Sequence, residues 1–250
     1  MFARILAGSA SRDGESVARI SHLSRFPVVL IGVVAAFALA ATTAKAAATA
    51  APAASCTPHP YAYAGLYSNR PAQGIQAVVT ALAPAQVSDG HVAGWIGVGG
   101  THVGPGGQAE WLQTGVNTMV GGDSELYVEI TQPGRPIRYV TVASGIAPGT
   151  AYRLAVSQLP KKPGWWQVLV NGKPAIAPVQ LPGSSRFQPM AMSESWNGGT
   201  PGCNGFEYRF NHLRILNSGS WHAMTDASAL TDLGYKIISR TSDGFTALSA

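Results

Sequence analysis

Charge and cysteine are scarce in this 250-residue chain: Asp, Glu, Lys and Arg together make up 12% of it, and there are two cysteines. Four motifs that would declare a chemistry at once are also missing. There is no G-x-S-x-G elbow, no H-E-x-x-H, no G-x-x-x-x-G-K and no C-x-x-C, which sets aside the common serine-hydrolase, zinc-protease, nucleotide-binding and thioredoxin-like readings. No long stretch keeps a 3.6-residue apolar period, so a helical bundle is excluded; one short helix is expected near "DASALTDLGY". Lys and Arg nowhere cluster with interleaved aromatics, which argues against a nucleic-acid partner. His59, His91, His102, His212 and His222 are scattered without a ligand-like spacing and are expected at the surface or in loops, leaving no basis for a metal or cofactor.

The basic balance has a local origin. Arg4, Arg12, Arg19 and Arg25 precede an apolar run from Pro27 to Ala41, and Ala44-Lys45-Ala46 follows it. A basic stretch, a short apolar stretch and an A-x-A site form the grammar of a secretory signal peptide, expected over residues 1–46. A retained membrane anchor is the alternative, but the run is short and alanine-rich against the roughly 20 strongly apolar residues of a span. Removing residues 1–46 leaves 12 basic against 10 acidic residues, so the net charge falls from +5 to +2. Residues 47–55 are rich in Ala, Thr and Pro and read as a linker. Cys56 and Cys203 both survive processing, and an even count in an exported chain predicts a disulfide between them.

From Cys56 onward the chain is glycine-rich and built of short β-type segments: "GIQAVVTAL", "GWIGV", "EWLQTGV", "ELYVEIT", "YVTVA", "AYRLAVS", "WWQVLV", "PMAMSESW" and "FEYRFNHLRIL". Such regular spacing predicts an all-β antiparallel sandwich or barrel over residues 56–250, with an extension from about 218. Asn171-Gly172 predicts a tight hairpin turn. Trp165 and Trp166 are adjacent and so point to opposite faces. "THVGPGGQ" is glycine-rich but lies between two strands, and is read as a loop rather than a phosphate cradle.

Side chains alternate along a strand, which sorts the polar residues. Leu112, Thr114 and Val116 share one side of "EWLQTGV", leaving Trp111, Gln113 and Gly115 on the other. Leu126, Val128 and Ile130 face the core, with Tyr127 and Glu129 opposite; Met190, Met192, Glu194 and Trp196 share a side. In a bent sheet the concave face gathers Trp111, Gln113, Tyr127, Glu129, Glu194 and Trp196 into an aromatic-walled groove. Each polar member also has a bland reading: Gln113 as solvated decoration, Glu194 as the partner of an arginine such as Arg209.

The combination "GWIGVGG", "EWLQTGV", "ELYVEI" and "MSESWNGG", spread over roughly residues 61–216, resembles the eqolisin-type glutamic peptidases. The Leu112–Gly115 core is its most specific element. That resemblance implies a lectin-like sandwich, a jelly roll of the concanavalin A type, in a secreted endopeptidase that needs no cofactor. It further implies a glutamate general base at Glu194 and a glutamine stabilising the tetrahedral intermediate at Gln113, with Trp95 and Glu129 in supporting roles. The chain departs from the pattern at Gly99, where the family has an acidic residue. The expected partner is a polypeptide and the expected state a monomer. Two other readings stay open: a jelly-roll glycoside hydrolase using Glu129 and Glu194 on a polysaccharide, and a non-catalytic lectin-like module binding sugar or protein.

Overall fold

Alternation of large apolar with polar or small residues, repeated every second position, builds two sheets with one dry interface between them. A computed structural model describes residues 61–198, 203–232 and 234–249. The expected signal peptide, the linker and Cys56 lie outside the described residues. Cys203 is buried.

The strands in chain order are β1 (Tyr61–Ser68), β2 (Gly74–Ala81), β3 (Gln86–Val87), β4 (His91–Gly100), β5 (Glu110–Met119), β6 (Ser124–Thr131), β7 (Arg138–Ser144), β8 (Ala151–Gln158) and β9 (Trp165–Val170). They continue with β10 (Lys173–Pro174), β11 (Val179–Gln180), β12 (Pro189–Trp196), β13 (Asn204–Gly205), β14 (Glu207–Asn217), β15 (Ser220–Ala223), β16 (Ala227–Thr231), β17 (Lys236–Ile238) and β18 (Phe245–Leu248). One sheet runs β16-β1-β12-β4-β5-β6-β7. A second runs β10-β9-β8-β2-β14-β18-β17, with β11 on β9 and β15 on β14, and β13 pairs with β3 in a small two-stranded sheet. All the pairings between them are antiparallel, so the protein is an antiparallel β-sandwich.

The core lies between the two sheets. Ile96 and Val98 of β4, Leu112 and Val116 of β5 and Leu126, Val128 and Ile130 of β6 meet Ile75 and Val79 of β2, Leu154 and Val156 of β8 and Phe210 of β14. These are the positions the alternation in "EWLQTGV" and "ELYVEIT" assigns to the interior. Trp166 is fully buried, while Trp165 is half-buried under the Lys162 ammonium, 3.8 Å from the ring centre. Asn171 and Gly172 take φ of 52° and 80° between β9 and β10, the left-handed pair a tight hairpin requires. Thr101–Gln108 is a loop with a single 3-10 turn at Pro105–Gly107, as read.

The tail corrects one expectation. The described residues between 226 and 235 contain no helix; Ala227–Thr231 is β16, paired along β1 from Ala64 to Ser68. β1 leaves an open edge whose backbone groups need partners, and that demand overrides a helical apolar spacing too short to nucleate alone. No helix among the described residues is long and apolar enough to cross a membrane.

Candidate active site

Register places the predicted groove residues on one face of the seven-stranded sheet, the face turned away from the core. Across the sheet, Met192, Trp95, Gly115 and Tyr127 form one row of Cα partners. Two residues along in one direction lies the row Met190, Gly97, Gln113, Glu129 and Tyr139. Two residues along in the other lies the row Tyr63, Glu194, Ala93, Asn117 and Glu125. Trp111 and Trp196 continue the same face at its two ends, Trp111 opposite Gly99 and Trp196 opposite His91. Gln113, Glu194, Trp95, Trp111, Tyr127, Glu129 and Trp196 therefore share one surface, with Ala93, Gly97 and Gly115 as its low floor.

Gly115 is required there by crowding: a Cβ would sit 2.6 Å from the Trp95 Cβ, so any side chain would push the indole off the floor. Gly99 has φ of +115°, and a Cβ on it would run into the Glu110 carbonyl and Trp111. The acidic side chain that the resemblance leads one to expect at Gly99 is thus replaced by close backbone packing under Trp111.

Each polar group on this face is held. Glu194, buried, accepts the Trp95 indole N–H on Oε2 at 2.8 Å, and His91 Nε2 lies 3.0 Å from Oε1. Gln113, also buried, donates from Nε2 to the Tyr127 hydroxyl at 3.1 Å. One amide hydrogen is used in that bond, and the other remains free to meet a ligand. Trp111 donates its indole N–H to Glu129 Oε1 at 2.8 Å. Tyr139 stacks on Tyr127 with ring centres 5.0 Å apart, and its hydroxyl donates to Glu125.

The electrostatics tie these contacts together. Burial, and then the neighbouring Glu194, push the Glu129 carboxyl up to about 7. The Trp111 N–H and His91 pull it part of the way back. Tyr63 and Tyr127 are raised well above the ordinary phenol value, by burial first and by Glu194 second. Tyr127 thus touches the Gln113 amide and also feels the Glu194 charge, so the two candidate groups share one electrostatic neighbourhood across the Trp95 row. A carboxyl whose surroundings raise its proton affinity, set beside a second carboxyl, is raw material for acid–base chemistry. Among the described residues, no three His, Cys, Asp or Glu side chains gather as a metal site would need.

Two sequence expectations fail here. Glu194 is not paired with Arg209, which is exposed on β14 of the other sheet. His91 is no loop histidine: it opens β4, four residues before Trp95 on the same face. The strand read as "GWIGV" stops three residues short of it. Tyr61 and Tyr63 were also missed; β1 sets them opposite Trp196 and Glu194, and the Tyr63 N–H donates to Asp232 Oδ2 at 3.2 Å.

No protein-family model and no curated protein matches the chain by sequence. Solved structures do. A scytalido-glutamic peptidase with a transition-state analogue inhibitor superposes with a TM-score of 0.53 over 77% of this chain and 99% of that one, at 12% identity. The same peptidase with a peptide-based transition-state analogue gives 0.51 over 75% and 97%, at 13% identity. The chain shares the fold of the glutamic peptidases. The resemblance drawn from "EWLQTGV" and "MSESWNGG" thus extends to the architecture, and at this level of identity the shared property is the fold.

Proposed function

We propose that this protein is a secreted hydrolase that cleaves peptide bonds, with Glu194 as general base and Gln113 as the donor to the developing oxyanion. The observation that carries the reading is the pairing on one sheet face of a buried carboxylate, held on both oxygens by N–H groups, with a buried amide that has one N–H fixed and one to spare. Glu194 takes a proton from a water whose oxygen attacks the scissile carbonyl carbon. The charge that develops on the carbonyl oxygen is met by the free Gln113 N–H, a donor already oriented by Tyr127. The proton then passes to the leaving amine as the C–N bond breaks.

The partner is an extended polypeptide laid across the β4–β5–β6 rows, with Tyr139 and Trp111 as aromatic walls. The fold shared with glutamic peptidases solved with transition-state analogues supports the choice of substrate. Export through a cleaved 1–46 segment and a Cys56–Cys203 disulfide belong to the same reading.

One observation favours a second reading. A Glu129 carboxyl raised to about 7 beside Glu194 also suits the acid and base of a glycoside hydrolase. Casein and a panel of β-glucans, each incubated with the purified protein from acid to neutral pH, separate the two. New peptide termini from casein with intact glucan support the peptidase; new reducing ends with intact casein overturn it.

A further inference from the structure

Glu194 sits opposite Ala93 in the β12–β4 register, and the two residues flanking Ala93 on that face, His91 and Trp95, reach over its small side chain to the two carboxylate oxygens. The grip is made by one strand on one residue. Trp95 offers a neutral N–H whose state never changes with pH. His91 is different, because an imidazole can carry a positive charge as well as donate an N–H.

The ring is also fixed. It stacks on Trp196 with centres 5.6 Å apart and planes within 28°, so Nε2 is directed at Oε1. The His91 side chain is 18% exposed and that of Glu194 7%, which leaves the imidazole in proton exchange with solvent while the carboxylate is largely dry. The rest of the surroundings repel negative charge on Glu194 or are neutral. Tyr61 and Tyr63 face it from β1, Tyr127, Glu129 and Glu125 from β6, and the Tyr208 phenol of β14 also feels its charge. Gln113 and Asn117 come from β5, and Asp232, beyond β16, binds the Tyr63 N–H. Asp89, just before β4, is occupied by the Gly90 N–H and the Asn197 amide.

We propose that His91 is a positioning residue that keeps the Glu194 carboxylate charged and turned into the groove, and thereby extends the working range of the site toward acid pH. A cation facing a carboxylate in a dry site favours its charged form. His91 supplies that cation where the groove otherwise offers phenols, amides and carboxyls. The inference rests on the role proposed for Glu194, and its test separates the two.

The first arm needs no activity: histidine side-chain NMR titration of the purified protein, with the His91 signal assigned by its loss in His91→Gln. In Glu194→Gln the His91 midpoint should fall by about 1 pH unit or more, since the imidazolium loses its counter-charge. An unchanged midpoint overturns the proposal, whatever the protein cleaves. The second arm is the pH–rate profile on casein. His91→Phe should move the acidic limb up by about 1 pH unit, and His91→Gln, which keeps a donor against Trp196 without the charge, should move it in the same direction with folding retained. A limb that stays in place in both variants overturns the proposal as well. A shifted midpoint in a protein that cleaves no casein supports the pair and removes the peptidase reading; cleavage with an unshifted midpoint does the reverse.

Discussion

Along β5, Leu112, Thr114 and Val116 point into the sandwich, while Trp111, Gln113, Gly115 and Asn117 line the outer face of the same strand. Both sets are largely buried, and they are buried for different reasons. On the inner face apolar side chains fill the space between two sheets, and the polar Thr114 is satisfied by the Tyr127 carbonyl at 2.7 Å. On the outer face Glu194, Glu129 and Gln113 are held under aromatic rings, each with a named donor or acceptor, and the Asn117 amide donates to the Tyr139 hydroxyl at 2.8 Å. The inner pattern lowers the free energy of the fold, because apolar area leaves water. The outer pattern costs desolvation that hydrogen bonds offset only in part. The proposed catalysis rests on a groove that keeps Glu194 and Glu129 together against that cost.

Substitutions that strike one face and spare the other sharpen this contrast. The largest effect is expected from Glu194→Gln, which keeps the shape and removes the base: casein cleavage should fall about 10²- to 10⁴-fold in kcat, with the thermal midpoint close to wild type. On the inner face, Leu112→Ala should lower the free energy of unfolding by about 2–5 kcal/mol, read in a urea titration. Glu129→Gln tests the outer face without any substrate. A folded-state value near 7 against an ordinary 4.5 means that the protonated carboxyl contributes stability in full below about pH 4.5, and that this contribution is lost as pH rises through about 7. The loss is on the order of 3 kcal/mol, so unfolding midpoints measured from pH 4 to 8 should decline less in the Gln variant than in wild type. The smallest effect belongs to a contact remote from both faces: Lys162→Ala, which uncovers Trp165, should cost about 0.5–1 kcal/mol in the same titration.

The alternation in "EWLQTGV", "ELYVEIT" and "PMAMSESW" was enough to place six groove residues on one face, because side-chain period along a strand is a local property. What stayed hidden depends on strands far apart in sequence. His91 escaped notice because the end of a strand is marked only by where its neighbours stop pairing, and β4 continues to His91 along β12 and β5. Tyr61 and Tyr63 reach the site through β1, whose pairing to β12 spans most of the chain. The β16 strand was read as helix, since its five residues are decided by the edge they cover. The purpose of Gly115, leaving room for the Trp95 indole, is visible only once β4 lies beside β5.

The contrast between faces is tested most directly at two neighbours on one strand, Gln113 and Leu112, by measuring casein cleavage and urea midpoint for Gln113→Ala and Leu112→Ala side by side. This contrast predicts that Gln113→Ala loses about 10²- to 10³-fold in kcat with its midpoint nearly unmoved. Leu112→Ala should lose its midpoint while its remaining folded fraction still cleaves. A Gln113→Ala protein that cleaves at the wild-type rate, or that unfolds as readily as Leu112→Ala, would contradict it.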